Sequence, residues 1–329
     1  MSSQQFKGKT VLITGGTGSF GKECVKKLLK EYDPAVIRIY SRDELKQWEM
    51  AREFGHNPKL RFLIGDVRDA DRLRRACEGV DYLIHAAALK HVPACEYNPV
   101  EAVRTNIDGA INTINAALDT NVKKVIALST DKAVNPVNIY GATKLASDRL
   151  FIHGNFYAGA HPTRFSVVRY GNVMGSRGSV IPLFRAQAAS GFLTITDARM
   201  TRFWITLPQT VDFVLSSFKH MQGGELYVPK LPSMKITDLA KVIAPAAKLK
   251  MVGIRPGEKL HESLITTEEA RDTREMKDRF MVLSPSREWG LDESVYNRYK
   301  KVKPDFEYNS FSNPSYLTQK EIFFELLTK

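Results

Sequence analysis

Long apolar stretches are missing from this 329-residue sequence. No run of eighteen apolar residues occurs, whereas a helix needs about twenty to cross a bilayer, so no membrane span is expected. The first residues, Met1 to Lys9, are polar and lead directly into a strand-like segment. They lack the apolar core of a secretion signal, and the protein is expected to stay where it is made. Cysteine is scarce: Cys24, Cys77 and Cys95 are the three present. An odd, sparse set without metal-like spacing excludes a disulfide framework, points to no metal and fits a reducing cytoplasm. Acidic residues are outnumbered, 36 against 48 basic, for a net charge of +12. The basic residues are dispersed, and pairs such as Lys26-Lys27 and Lys300-Lys301 are short. That pattern favours a solvated surface with a few phosphate contacts over a nucleic-acid tract. Internal repeats and low-complexity linkers are absent too.

What is present is an alternation. Apolar strand-like segments at 10–14, 36–40, 61–65, 82–87, 125–130 and 165–171 are separated by helical spacing over 44–54, 69–78, 99–119 and from Ile139. Such alternation predicts an α/β fold, a Rossmann-type doubly wound parallel sheet with right-handed crossovers. After Gly171 the elements shorten between Pro182, Pro208, Pro229, Pro232, Pro245 and Pro256. Residues 1–171 are therefore expected to form the dinucleotide-binding domain, completed by later returning segments. Residues 172–329 are expected to form mainly a smaller C-terminal substrate-binding lobe, with a last helix over 321–327.

The turn after the first strand reads Thr14-Gly-Gly-Thr-Gly-Ser-Phe-Gly21, with Gly15, Gly18 and Gly21 spaced G-x-x-G-x-x-G. A strand that turns sharply into a helix, against a pyrophosphate, needs small residues at these points. The helix N-terminus then offers free N–H groups to the phosphates. Thr17, Ser19 and Phe20 complete this cofactor-binding turn. The end of the second strand reads Ser41-Arg42-Asp43, with Lys46 following. A hydroxyl and a planar cation suit the 2′-phosphate of NADP. The alternative is that Arg42 is solvated and Asp43 takes the ribose of NAD. Asp66-Val67, after the third strand, is placed to meet the adenine, and Ala86-Ala87, after the fourth, leaves room for the cofactor.

Tyr140 and Lys144 form Y-x-x-x-K, one helical turn apart on one face. A lysine ammonium beside a phenol is expected to lower its pKa, so that it takes a hydroxyl proton while hydride leaves carbon. Together, T-G-x-x-G-x-x-G and Y-x-x-x-K resemble the extended short-chain dehydrogenase/reductase family. A narrower resemblance rests on Ser129-Thr130-Asp131-Lys132-Ala133-Val134-Asn135-Pro136 running into Ile139-Tyr140-Gly141-Ala142-Thr143-Lys144. H-A-A-A-L-K-H-V-P (85–93), R-Y-G-N-V (169–173), G-S-R-G-S-V-I-P (175–182) and G-x-R-P-G-E-K (253–259) extend it. These stretches are similar to the inverting UDP-N-acetylglucosamine 4,6-dehydratases that begin pseudaminic acid synthesis. The dTDP-glucose 4,6-dehydratases carry Thr-Asp-Glu where this chain has Thr130-Asp131-Lys132. Larger membrane-anchored relatives carry methionine where this chain has Tyr140.

The resemblance implies a role for each residue. Tyr140 with Lys144 oxidises sugar carbon four against NADP. Lys132, given a depressed pKa, removes the carbon-five proton. Asp131, given a raised one, helps the carbon-six hydroxyl leave. Thr130 steadies the carbonyl oxygen. Val173 joins the cofactor set, and Lys90 reaches cofactor or substrate. Asn172, Arg177, Arg255 and Glu258 serve the UDP-sugar, with Arg199 and Arg202 as weaker candidates. A homo-oligomer is implied, with a hexamer as the candidate size. A 4-epimerase or a retaining dehydratase of the same fold stays open. So does a different class, a non-catalytic dinucleotide sensor or nucleic-acid binder, although such a protein usually loses the tyrosine or the lysine.

Overall fold

The computed structural model describes residues 4–175, 180–285 and 293–327. Six apolar segments become parallel strands: β1 (Thr10–Thr14), β2 (Val36–Ser41), β3 (Leu60–Ile64), β4 (Tyr82–His85), β5 (Lys124–Leu128) and β6 (Arg164–Val168). Four of the five β1 residues are buried, as a strand covered on both faces requires. The sheet runs β3-β2-β1-β4-β5-β6 and continues through Leu226–Pro229, which is parallel to β6. Arg279–Val282, Thr273–Glu275 and Lys300–Lys301 then add antiparallel strands at that edge. Strand order reverses between β1 and β4, and the crevice outside the strand ends at such a reversal is where open α/β sheets bind ligands. There Thr14 pairs in register with Tyr40 on one side and His85 on the other.

Helices cover both faces. On one, α1 (Ser19–Lys27) lies against helix Leu207–His220, sharing a core of Cys24, Val25, Leu28, Val211 and Phe218. Following α2 (Glu44–Glu53), the other face carries α3 (Ala70–Cys77), α6 (Gly109–Asp119) and α7 (Ile139–Tyr157) over Leu73, Ala110, Ile114 and Phe151. Fully burying a leucine, isoleucine or phenylalanine there contributes roughly 1.5–3 kcal/mol.

The helix expected over 99–119 runs without a break from α5 (Pro99–Val103) through a π turn over Arg104–Asp108 into α6, and a separate short helix, α4 (Val92–Tyr97), precedes it. Pro99 starts α5 because it cannot continue α4. The π turn sends Asn106 inward, where it is 1% exposed. The last helix spans Gln319–Leu327 and buries Ile322. It packs with helices Val180–Ala188 and Ile236–Ile243 around Phe184, Leu193, Trp204 and Leu239, a core separate from the large sheet.

Candidate active site

The glycine turn closes onto the end of β4. Gly15 has φ +65°, and a Cβ there would come within 3.0 Å of the Ala87 backbone. A Cβ on Gly21 would stand 2.2 Å from the Gly16 carbonyl, so α1 approaches the turn as closely as it does because residue 21 is glycine. Thr14 Oγ1 accepts from the amides of Ala86 and Ala87 and meets His85 Nδ1 at 3.1 Å. Burial, then the Lys144 charge, push His85 down to about 3, so the ring is neutral. This cradle leaves no room for side chains at the points a pyrophosphate must approach, and it fits a dinucleotide.

At the end of β2, Ser41 is buried and its hydroxyl accepts from Gln47 Nε2. Asp43 is occupied: it caps α2 by accepting from the Lys46 amide and also holds the Lys46 ammonium. Arg42 lies 3.7 Å from Asp66, whose carboxylate accepts the Arg68 amide and guanidinium. Val67 is buried against Gly109, where a Cβ would meet it at 2.8 Å.

The catalytic candidates gather at the ends of β5 and β6. Thr130 caps the short 3-10 turn Asp131–Ala133 by accepting from the Lys132 amide, and its hydroxyl donates to Asp131 Oδ1 at 2.9 Å. Lys132 Nζ donates to the same oxygen at 3.0 Å. Asn135, in the left-handed region at φ 43°, turns the chain toward α7. Asn138 caps α7 by accepting from the Gly141 amide, a contact worth about 1 kcal/mol. It also donates to the Gly257 carbonyl, tying the catalytic helix to the 253–259 loop.

The charges depart from expectation at two places. Burial pushes the Lys132 pKa down, but the Asp131 and Glu262 carboxylates outweigh it, and the net shift is upward. The depressed pKa expected of a carbon-five base is therefore not met by Lys132 in this structure. For Tyr140, burial raises the phenol, while the Lys132 ammonium and the neighbouring Thr130 hydroxyl pull it back, leaving it at about 12. The cation opposing burial of the phenol is Lys132, rather than Lys144 as expected. The Lys144 ammonium is itself pushed down by burial and supported by Asp148. Asp148 in turn accepts from Ser129 at 2.6 Å and lies 3.6 Å from the buried Arg169.

Exposure separates the cluster into front and back. The Lys132 side chain stays 26% exposed, whereas that of Asp131 is 1% exposed. Asp131 is thus the buried member of the pair, held by Lys132 and Thr130. Lys90 is pushed down by partial desolvation and then by the Lys132 charge, which places the two ammonium groups in one field.

The substrate candidates divide. Asn172 lies on the short strand Asn172–Val173 paired with Trp204 and Ile205, and its buried Oδ1 has no hydrogen-bond partner. Val173 packs against the main core. Arg199 is exposed and held by Asp197 through two hydrogen bonds. Arg255 pairs with Glu258 at 3.4 Å, so the two residues assigned separate ligand contacts neutralise each other here. Arg177 lies outside the described residues. Among the described residues no group of histidine, cysteine and carboxylate side chains is arranged to hold a metal, and no helix is long and apolar enough to cross a membrane.

A model of the polysaccharide biosynthesis protein family matches residues 11–284. The chain belongs to that family. A Campylobacter jejuni protein named UDP-N-acetylglucosamine 4,6-dehydratase (inverting) is 55% identical over 96% of this chain and 97% of its own length. A Rickettsia conorii protein named UDP-glucose 4-epimerase is 43% identical over 98% of this chain and 96% of its own length. Among solved structures, the X-ray structure of Pen from Bacillus thuringiensis superposes with a TM-score of 0.91 at 40% identity, covering 99% of both chains. The large parallel sheet is the Rossmann architecture expected from the strand–helix alternation.

Two buried residues of the site escaped the sequence motifs. Asn106 accepts from the Leu89 amide, donates to the Leu89 carbonyl and donates to Thr143 on α7. It locks the segment before Lys90 to the catalytic helix. Its neighbours Arg104, Thr105 and Asp108 are polar too, so nothing local in the sequence marks it. Glu262 lies 3.7 Å from Lys132 Nζ. It follows the G-x-R-P-G-E-K stretch by three residues, and nothing local in the sequence distinguishes it from Glu258.

Proposed function

We propose that this chain is a UDP-N-acetylglucosamine 4,6-dehydratase that inverts sugar carbon five with a recycled NADP. The single observation that carries the proposal is a partly exposed Lys132 whose charge acts on Tyr140, next to Asp131 in the turn after β5. The 55% identical Campylobacter relative supports it by name. The residues around Gly15, Ser41 and Arg42 would hold the dinucleotide, with Asp43 already engaged as a helix cap, which favours NADP over NAD. When bound, the nicotinamide supplies a hydride acceptor at carbon four and returns the same hydride at carbon six.

The protein groups do the proton work. Tyr140 takes the proton of the carbon-four hydroxyl, and the Lys132 charge that opposes its burial helps it do so. The new ketone acidifies the proton on carbon five. Lys132, once neutral, removes that proton from the cleft side. The electron pair left on carbon five expels the carbon-six hydroxyl, which departs as water with a proton from Asp131. Because Asp131 is buried, that proton travels through the Thr130 hydroxyl 2.9 Å away. The product is UDP-2-acetamido-2,6-dideoxy-β-L-arabino-hex-4-ulose, an intermediate suited to pseudaminic acid synthesis. Residues 1–171 with their returning strands carry the dinucleotide in this proposal. The part beyond residue 172 carries mainly the UDP-sugar, through Asn172, whose buried oxygen has no partner. A cytoplasmic homo-oligomer is part of the same proposal.

The Rickettsia relative favours a second reading, a 4-epimerase. It would use Tyr140 and Lys144 but leave the Asp131–Lys132 pair without a task. Incubation with UDP-N-acetylglucosamine, followed by mass spectrometry and proton NMR, separates the two. Loss of one water supports the dehydratase, and an isomer of unchanged mass overturns it.

A further inference from the structure

Two carboxylates hold Lys132, and they do so differently. Asp131 Oδ1 accepts from its ammonium at 3.0 Å and from the Thr130 hydroxyl at 2.9 Å. Glu262 Oε1 lies 3.7 Å from Lys132 Nζ, beyond hydrogen-bond distance. Glu262 is 2% exposed, and its Oε2 has no hydrogen-bond partner. Two further cations stand near it, Arg202 Nε at 3.9 Å, from the strand Thr201–Ile205, and Lys259 Nζ at 3.8 Å. Both use their hydrogen bonds elsewhere. Arg202 donates to the carbonyls of Thr201, Lys259 and Leu260, and Lys259 donates to the Val134 carbonyl. Glu262 thus acts on these neighbours as a charge, without a full hydrogen bond to any of them.

We propose that Glu262 sets the pH at which Lys132 can serve as the carbon-five base, by helping Asp131 hold it as an ammonium ion. The inference rests on the dehydratase reading and deepens it. In that reaction the charge on Lys132 has two opposed consequences. It favours ionisation of the Tyr140 phenol in the first half, and it must be gone when carbon five loses its proton. The groups that face Lys132 decide where that change falls. Asp131 and Glu262 favour the ammonium, whereas burial, Arg202, and Lys90 from the segment after β4 oppose it. Tyr140 from α7 and Lys259 from the loop before Glu262 complete the set. The two carboxylates prevail.

Charge is what Glu262 contributes. At 3.7 Å it does not orient the ammonium through a hydrogen bond, and no bond to it forms or breaks in the reaction. It is a positioning residue for the charge on Lys132. Asp131 is nearer and contributes more, yet removing it also strips Thr130 and Lys132 of their shared partner. Glu262 can be neutralised without touching that contact. Burial and Asp131 push Glu262 itself toward the protonated form, and Lys132, Arg202 and Lys259 oppose them. In the proposal these three cations, none beyond 3.9 Å, keep it ionised at neutral pH. A neutral amide in its place removes an attraction for the ammonium, so Lys132 gives up its proton at lower pH.

The test is the pH profile of water loss in single turnovers of the full-length enzyme loaded with NADP and UDP-N-acetylglucosamine, followed by mass spectrometry. Water loss should rise with pH as Lys132 passes from ammonium to amine. In Glu262→Gln this rise should move to lower pH by about one unit or more, the scale for an opposite charge within about 4–6 Å. The gain in amine, partly offset by a weaker base, should raise the rate on that limb roughly threefold or more. Glu262→Asp keeps the charge and should leave the limb nearer to wild type. Glu262→Met, neutral and of similar length, should repeat the glutamine shift, and urea unfolding shows which variants are folded. A limb that stays in place or moves to higher pH in a folded neutral variant overturns the inference. Loss of folding in both neutral variants overturns it as well, because Glu262 is then a structural residue. A wild-type enzyme that releases no water from the sugar overturns the dehydratase reading itself.

Discussion

A Cβ on Gly141 would stand 2.1 Å from the carbonyl oxygen of Lys132. The first turn of α7 therefore rests directly on the 3-10 turn after β5, and this contact brings Tyr140 beside Lys132. Gly141 is at an ordinary helical angle, so closeness of backbones, and not a special φ, demands the glycine. Gly141→Ala should push α7 away from Lys132. The expected result is a loss of about 1–3 kcal/mol in stability, as for other overpacked sites, and a drop in kcat larger than that in dinucleotide affinity. Urea unfolding and titration with NADP measure the two. Wild-type kcat in a stable Gly141→Ala protein would show that the contact has no catalytic consequence.

Arg42 sits at the end of β2 while the carboxylate of Asp43 is engaged by Lys46. Arg42→Ala should weaken NADP by about 1.5–3 kcal/mol, the worth of hydrogen bonds to a charged group, and should affect NAD much less. Equal weakening of both cofactors, measured by calorimetry, removes the basis for preferring NADP.

Lys132 and Tyr140 divide the reaction into separable halves. Lys132→Ala should still oxidise carbon four, seen as NADPH absorbance that persists, and should release no water. Tyr140→Phe should show neither. The wild-type enzyme, recycling its hydride, should build up no steady NADPH signal during turnover. NADPH released in step with product would instead mark a simple dehydrogenase.

Configuration at carbon five follows from which group handles the proton. Lys132 removes it from one face, and a different group or water returns one to the other. In deuterium oxide the early product should carry deuterium at carbon five and have L-arabino ring couplings by NMR. Retained configuration in the earliest product would falsify the inverting assignment and leave the dinucleotide site untouched.

His85 gives a pH dependence of stability. Burial, then the Lys144 charge, depress its pKa to about 3 from an ordinary value near 6.5. The unfolded chain therefore binds a proton that the folded one refuses. The stability contribution is complete above about pH 6.5 and is lost as pH falls toward 3, by up to roughly 1.4 kcal/mol per pH unit. Urea unfolding at pH 7 and pH 5 should show this loss in wild type. His85→Gln should remove it, and an unchanged slope in that variant would assign the effect to other groups.

The parallel sheet was legible in the sequence because each strand is short, apolar and bounded by turn residues, and because strand and helix alternate. The glycine turn, Y-x-x-x-K and the Thr130-Asp131-Lys132 run were legible for the same reason: their geometry is local, set by a turn or by adjacent turns of one helix. The helix over 99–119 was legible too, but not the π turn within it that sends Asn106 toward Leu89 and Thr143, because propensity does not register such a turn. Arg255 and Glu258 looked like two ligand contacts in sequence, but three residues apart in one loop they meet each other. The charge state of the site belonged largely to the tertiary structure. Lys132 is held as an ammonium by Asp131, its neighbour in the chain, and then by Glu262, 130 positions away in the chain and 3.7 Å away in space. A pKa is set by burial and by charges at a few ångströms, quantities that exist only once distant segments have packed together.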